Sequence, residues 1–112
     1  MKEDKRKTPR LNVGITVFYD GGYGRTKDIS INGTFIKGNG QSRLQSVGTD
    51  ISLSFDFPDR VGLIKAHGVV IHHSNNSEDG MGIAFKRIRV RHREFIKKFV
   101  AREQMFLLRL NG

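Results

Sequence analysis

The sequence contains no cysteine and no tryptophan, has only two prolines, and has no long apolar run. The missing cysteine excludes a disulfide framework, a thiolate metal site and a cysteine nucleophile, and it suits a reducing compartment. A membrane-spanning helix needs about 18 apolar residues in a row; the most apolar stretch near the end, Phe106 to Leu110, is short and carries Arg109. The first ten residues are mostly charged and lead into no apolar segment of the kind a secretory signal requires. The expectation is a cytoplasmic protein. At 112 residues the chain has room for one domain and one core, and eight phenylalanines beside Ile, Val and Leu can fill it.

Acidic side chains are also scarce, with 11 Asp and Glu against 20 Lys and Arg, a formal charge of +9. The surplus is unevenly placed. Residues 1–10 carry a net +3, residues 86–112 a net +7, and residues 11–85 a net −1. A neutral body with two basic ends points to discrete anion sites rather than to diffuse binding of a polyanion.

The hydrophobic pattern is mostly of period two. Residues 1–10 are polar and aperiodic, and Pro9 disfavours a helix there, so they are expected to form a flexible N-terminal arm. Val13, Ile15 and Val17 then alternate with Gly14, Thr16 and Phe18, a half-buried strand beginning near Leu11 and ending at Asp20-Gly21-Gly22. Those glycines supply the positive φ of a hairpin turn. Tyr23 to Ile29 forms the return strand, Asn32-Gly33 a second turn, and Thr34 to Ile36 a third strand. After a polar loop over Gly38 to Gly48, Ile51, Leu53, Phe55 and Phe57 line one inward face, and Pro58-Asp59 ends the strand. Leu63 to His73 follows, with Val69 and Ile71 on one face and Val70 and His72 on the other. A polar loop over Ser74 to Gly80 leads to a last strand, Met81 to Ile88. This pattern predicts a mainly β fold, a six-stranded antiparallel barrel over residues 11–90.

The period changes near the end. Phe95, Ile96, Phe99, Val100, Met105, Phe106 and Leu110 recur at helical spacing from about Arg93 to Leu110. They predict an amphipathic C-terminal α-helix within residues 91–112, packed over an open face of the barrel. Just before it stands the basic cluster Lys86 to Arg93. Positive charge at a helix N-terminus costs about 0.3–1 kcal/mol per group, so the cluster is expected to precede the helix, with Glu94 in the first turn. It is a solubilising surface, a docking site for an acidic partner protein, or extra attraction for an anionic ligand.

Two short patterns carry the functional signal. Arg6-Lys7-Thr8-Pro9-Arg10 is an Arg-x-x-x-Arg on the arm, and Asp28-Ile29-Ser30-Ile31-Asn32-Gly33 is an Asp-x-Ser-x-x-Gly at a strand end. Alone, the first is a solvated basic tail and the second a capped turn. Together they suit a guanine nucleotide. Arginine's planar fork matches phosphate oxygens and the O6/N7 edge of guanine, and its plane stacks on a purine. Asp28 can accept from the N1–H and N2–H₂ donors on the other edge. Ser30 offers a hydroxyl, and Gly33 permits positive φ or close backbone approach.

In this order the two patterns resemble the signature of the PilZ domain, a bacterial six-stranded barrel that binds cyclic di-GMP. Met81-Gly82-Ile83-Ala84-Phe85 is similar to the family's last barrel strand, and the resemblance runs over residues 5–105. It implies a non-catalytic cyclic di-GMP receptor whose ligand contacts are Arg6, Arg10, Asp28, Ser30 and Gly33. Lys5, before the first arginine, leans toward a stacked pair of nucleotides. It also implies a monomer or ligand-linked dimer that changes the conformation of its arm on binding and signals to a downstream protein. Two other classes compete: a PilZ-fold interaction module that binds no nucleotide, and a nucleic-acid-binding barrel, which the neutral body disfavours.

No enzyme is indicated, since neither a Ser-His-Asp arrangement nor a carboxylate pair can be assembled. His72 and His73, as strand neighbours, point apart and cannot chelate one ion. His67 and His92 add no ligand spacing, so no metal is expected.

Overall fold

The computed structural model describes residues 9–38, 44–74 and 80–111. Six strands follow in chain order: β1 Thr16–Tyr19, β2 Gly22–Ile29, β3 Gly33–Gly38, β4 Asp50–Asp56, β5 Ile64–His73 and β6 Gly80–Ile88. One helix, α1 Val90–Asn111, ends the described chain. Every neighbouring pair is antiparallel, in the order β1-β2-β3-β6-β5-β4, and β1 pairs back onto β4 to close the barrel. The fold is the expected one, a six-stranded antiparallel barrel with one C-terminal helix.

Alternation fills the interior. Val17 and Tyr19 of β1, Ile36 of β3, Ile51, Leu53 and Phe55 of β4, and Ile64, Ala66 and Val70 of β5 are all buried. The tight β1–β2 turn uses the predicted glycines, with φ of 102° at Gly21 and 144° at Gly22. Just past β4, Phe57 joins barrel to helix. Its ring meets Phe95 at 5.0 Å and Phe99 at 4.9 Å, both edge to face, the arrangement that aromatic quadrupoles favour. Ile96, Phe99 and Val100 complete the buried face of α1.

Five expectations need correction. The first strand starts at Thr16 rather than near Leu11, because the Thr26 hydroxyl occupies part of the ladder. It donates to the Val13 carbonyl and accepts from the Ile15 amide at 2.9 Å. The helix begins at Val90, so its first turn is basic and holds no acid. A side-chain anchor outweighs that charge cost: buried His92 accepts at Nδ1 from the Lys65 amide, at 3.1 Å, just beyond the last β5–β6 pair of Ala66 with Ile88. The helical stripe is buried only as far as Val100; Met105, Phe106 and Leu110 are exposed. A bulge between Val70 and His72 breaks the alternation of β5, so His72 is exposed while Val70 is buried. Gly33, finally, opens β3 without a left-handed φ. It is required because a Cβ there would collide with the Ile83 carbonyl oxygen of β6.

Candidate functional site

Of the residues the sequence nominates, Lys5 and Arg6 lie outside the described residues. Arg10, Asp28, Ser30 and Gly33 converge on one end of the barrel. Leu11 and Ile29 exchange reciprocal backbone hydrogen bonds of 2.9 and 3.0 Å, which hold Arg10 at the end of β2. Its Nη1 then stands 3.5 Å from Asp28 Oδ2. From the other side, Gln104 of α1 donates through Nε2 to the Arg10 carbonyl oxygen at 3.1 Å. The helix therefore touches the start of the described chain next to the site.

Asp28 faces outward because of a local irregularity. The β2–β3 register shifts between Thr26 and Asp28, which leaves Lys27 as the extra residue of a bulge. Thr26 and Ile29 both point into the core, so Asp28 is turned the other way, as bulges re-aim side chains. The Thr34 hydroxyl donates to the Asp28 carbonyl oxygen at 2.6 Å and fixes the backbone. The carboxylate is only part satisfied. Oδ2 has Arg10, whereas Oδ1 is buried and has no hydrogen-bond partner among the described residues. A buried acceptor left unmatched costs about 1–3 kcal/mol, more when charged.

Ser30 is buried and serves the turn. Its Oγ accepts from the Asn32 amide at 3.1 Å, while its own amide donates to the Gly33 carbonyl oxygen at 2.9 Å. Gly33 lies one strand inward, against β6, and its position shapes the turn that carries Ser30.

Sequence reasoning missed the ring beside Asp28 and two side chains that flank it. Phe35 pairs with Asp28 across β2 and β3, so its ring stands on the same outer face. Lys27 Nζ lies 5.9 Å from the centre of that ring, and the His72 ring lies 5.7 Å from it. The Thr34-Phe35-Ile36 alternation already put Phe35 opposite the core residues; only the bulge that brings Asp28 beside it was hidden. The outer face thus offers an aromatic ring, two cations and a carboxylate together, a set suited to a planar anionic ligand with hydrogen-bond donors.

The PilZ domain sequence profile matches residues 4–102. The chain belongs to the PilZ domain family. The matched span includes both nominated motifs. PilZ domains are non-catalytic, and the family typically binds cyclic di-GMP. By sequence alone, no curated relative matches. Among solved structures, the chain is similar to the Bacillus subtilis inhibitor of motility MotI/DgrA, with a TM-score of 0.78 at 16% identity over 92% of this chain. It spans about half of that protein, 52% of its chain. It is also similar to the PilZ domain of YcgR from Escherichia coli, solved with cyclic di-GMP, with a TM-score of 0.69 at 9% identity over 97% of this chain and 99% of that one. Identities this low speak for the PilZ fold alone. Among the described residues, no group of three or more His, Cys, Asp and Glu could hold a metal ion, and no helix is long and apolar enough to cross a membrane.

Proposed function

We propose that this PilZ domain is a receptor for cyclic di-GMP, bound on the outer face around Arg10, Asp28 and Phe35. The observation that supports it best is the buried Asp28 Oδ1, without a hydrogen-bond partner among the described residues, beside an arginine. Guanine carries two adjacent donors, N1–H and N2–H₂, on one edge, and a two-oxygen acceptor meets both. The Arg10 guanidinium, freed from Asp28, turns to a phosphate or to the O6/N7 edge. Phe35 gives the purine an apolar surface. A related fold, that of YcgR, was solved with this nucleotide.

The remaining nominated residues take supporting roles. Arg6 supplies the second guanidinium, and Lys5 favours a stacked pair of nucleotides. Ser30 and Gly33 hold the turn so that Asp28 keeps its aim, and the Ser30 hydroxyl, which donates to the Gly33 carbonyl only at 3.5 Å, exchanges that bond for a phosphate oxygen. The arm closes over the ligand, and charge-assisted contacts offset the entropy of ordering it. Arm and ligand together form the surface that a downstream protein reads. A non-binding interaction module gives no role to an Asp28 oxygen that has no partner among the described residues.

Isothermal titration calorimetry of the full chain tests this reading. Cyclic di-GMP is expected to give saturable binding, and Arg10→Ala should weaken it by about tenfold to a hundredfold, the loss of one charged hydrogen-bonding group. Absence of any binding heat with the unaltered chain rejects the proposal.

A further inference from the structure

A second charged region lies away from the nucleotide face, and nothing in the nucleotide reading uses it. An open groove of about 870 Å³ runs across the outer face of β4, β5 and β6 to the start of α1. Five cations line it: Lys65 on β5, Lys86 and Arg87 on β6, Arg89 in the connection, and Arg93 in the first turns of α1. No Asp or Glu does. Among the described residues, none of the five takes part in an ion pair; the ion pairs are Arg10–Asp28 and Arg102–Glu103.

The concentration of charge has a structural cause. The β5–β6 register shifts between His67 and Gly68, whose partners are Arg87 and Phe85. Lys86 is the extra residue of that bulge, so Lys86 and Arg87 are consecutive and yet both exposed. In a regular strand one of them would point inward. The helix then begins at Val90 with no acid in its first turn, and the positive end of its dipole adds to the potential. Holding five like charges together without internal partners opposes folding. A groove that keeps them is suited to an external polyanion.

We infer that this groove docks an acidic segment of a protein partner, independently of cyclic di-GMP. The lining selects that class. It contains no Phe, Tyr or Trp, and its one aromatic ring, His67, is half-buried and bonded to Ser52, so no broad open ring face is offered to a nucleic-acid base. Its apolar members, Leu53, Ala66 and Ile88, are buried or half-buried, which leaves no apolar surface to insert into a lipid layer. What remains are forked and pointed cations spread over adjacent strands about 5 Å apart. Carboxylates spaced along a peptide meet them as charge-assisted pairs. Ser52, bonded to His67 Nδ1 at 3.0 Å, lines the groove beside these cations.

The test uses the full chain and a fluorescent ten-residue peptide of alternating Glu and Ser, read by anisotropy. Binding that falls with added salt is expected, and the double variant Arg87→Glu/Arg89→Glu should weaken it by about tenfold or more. Lys97→Glu/Lys98→Glu, an equal change of charge on the exposed side of α1, should alter it by less than about twofold if the groove is the site. Cyclic di-GMP titration of each variant, together with circular dichroism, reports whether the barrel is intact. If the groove reversal disturbs the fold, Lys65→Gln/Lys86→Gln replaces it, with a loss of about threefold expected. Equal loss from the groove and Lys97/Lys98 reversals overturns the inference in favour of net charge alone. Tighter, equally groove-dependent binding of a single-stranded oligonucleotide or of anionic phosphatidylserine vesicles overturns the partner class.

Discussion

Two cationic regions of this PilZ domain owe their form to the same device and differ in one respect. A bulge at Lys27 turns Asp28 outward beside Arg10, and a bulge at Lys86 turns two consecutive basic residues outward on β6. At the first region the cation has a carboxylate 3.5 Å away. At the second, five cations have none among the described residues. A charge that already holds a partner must exchange it, and such a site favours ligands that match both members of the pair. Unpaired charges attract any anion of suitable shape and act mainly on encounter and register. The comparison therefore separates a discriminating face from an attracting one.

Removing the carboxylate is the strongest way to break that comparison. Asp28→Ala should weaken cyclic di-GMP binding by about a hundredfold, from the loss of two hydrogen bonds to a charged group, and leave acidic-peptide binding unchanged; calorimetry and anisotropy on the same sample read both. Next in size is Gly33→Ala, whose new methyl group meets the Ile83 carbonyl oxygen. Overpacking of this kind costs about 1–3 kcal/mol, seen in chemical denaturation. The displaced β3 should loosen the nucleotide face while the groove keeps its peptide. His92→Ala acts on the opposite side. It strands the Lys65 amide, at about 1–2 kcal/mol in the same denaturation experiment, and it should disturb the groove more than the nucleotide face. Smallest is Gln104→Ala, which removes one exposed hydrogen bond to the Arg10 carbonyl and should cost about 0.5 kcal/mol or less. Its value is qualitative: a change in cyclic di-GMP affinity would show that α1 senses the site.

The residues explain which parts of this molecule could be read from the chain alone. Ile51, Leu53 and Phe55 alternate without interruption, so their strand and its inward face were plain. Asp20-Gly21-Gly22 announced its turn, because only glycine adopts those φ values cheaply. Arg10, Asp28 and Ser30 were nominated by motif, and the barrel brings them to one end. Bulges were the main thing hidden. Each adds one residue to one strand, and nothing in a short polar–apolar pattern marks where it falls. For that reason Phe35 was not seen beside Asp28, and the faces of His72 and Val70 were assigned against a regular strand. The helix start was hidden for another reason. The dipole cost of a basic first turn is about 0.3–1 kcal/mol per group, and the anchoring of His92 with the packing of Phe95 and Phe99 on Phe57 exceeds it. Half of the groove was visible as the Lys86 to Arg93 cluster; Lys65 joins it only through strand pairing.

Discrimination between purines bears most directly on the claim that Asp28 reads guanine. Parallel calorimetric titrations of the full chain with cyclic di-GMP and cyclic di-AMP isolate it, because adenine lacks the N1–H and N2–H₂ donors while the phosphates are the same. Saturable cyclic di-GMP binding is expected, with cyclic di-AMP weaker by about a hundredfold or more. Equal affinity for the two, or binding of neither, would contradict it.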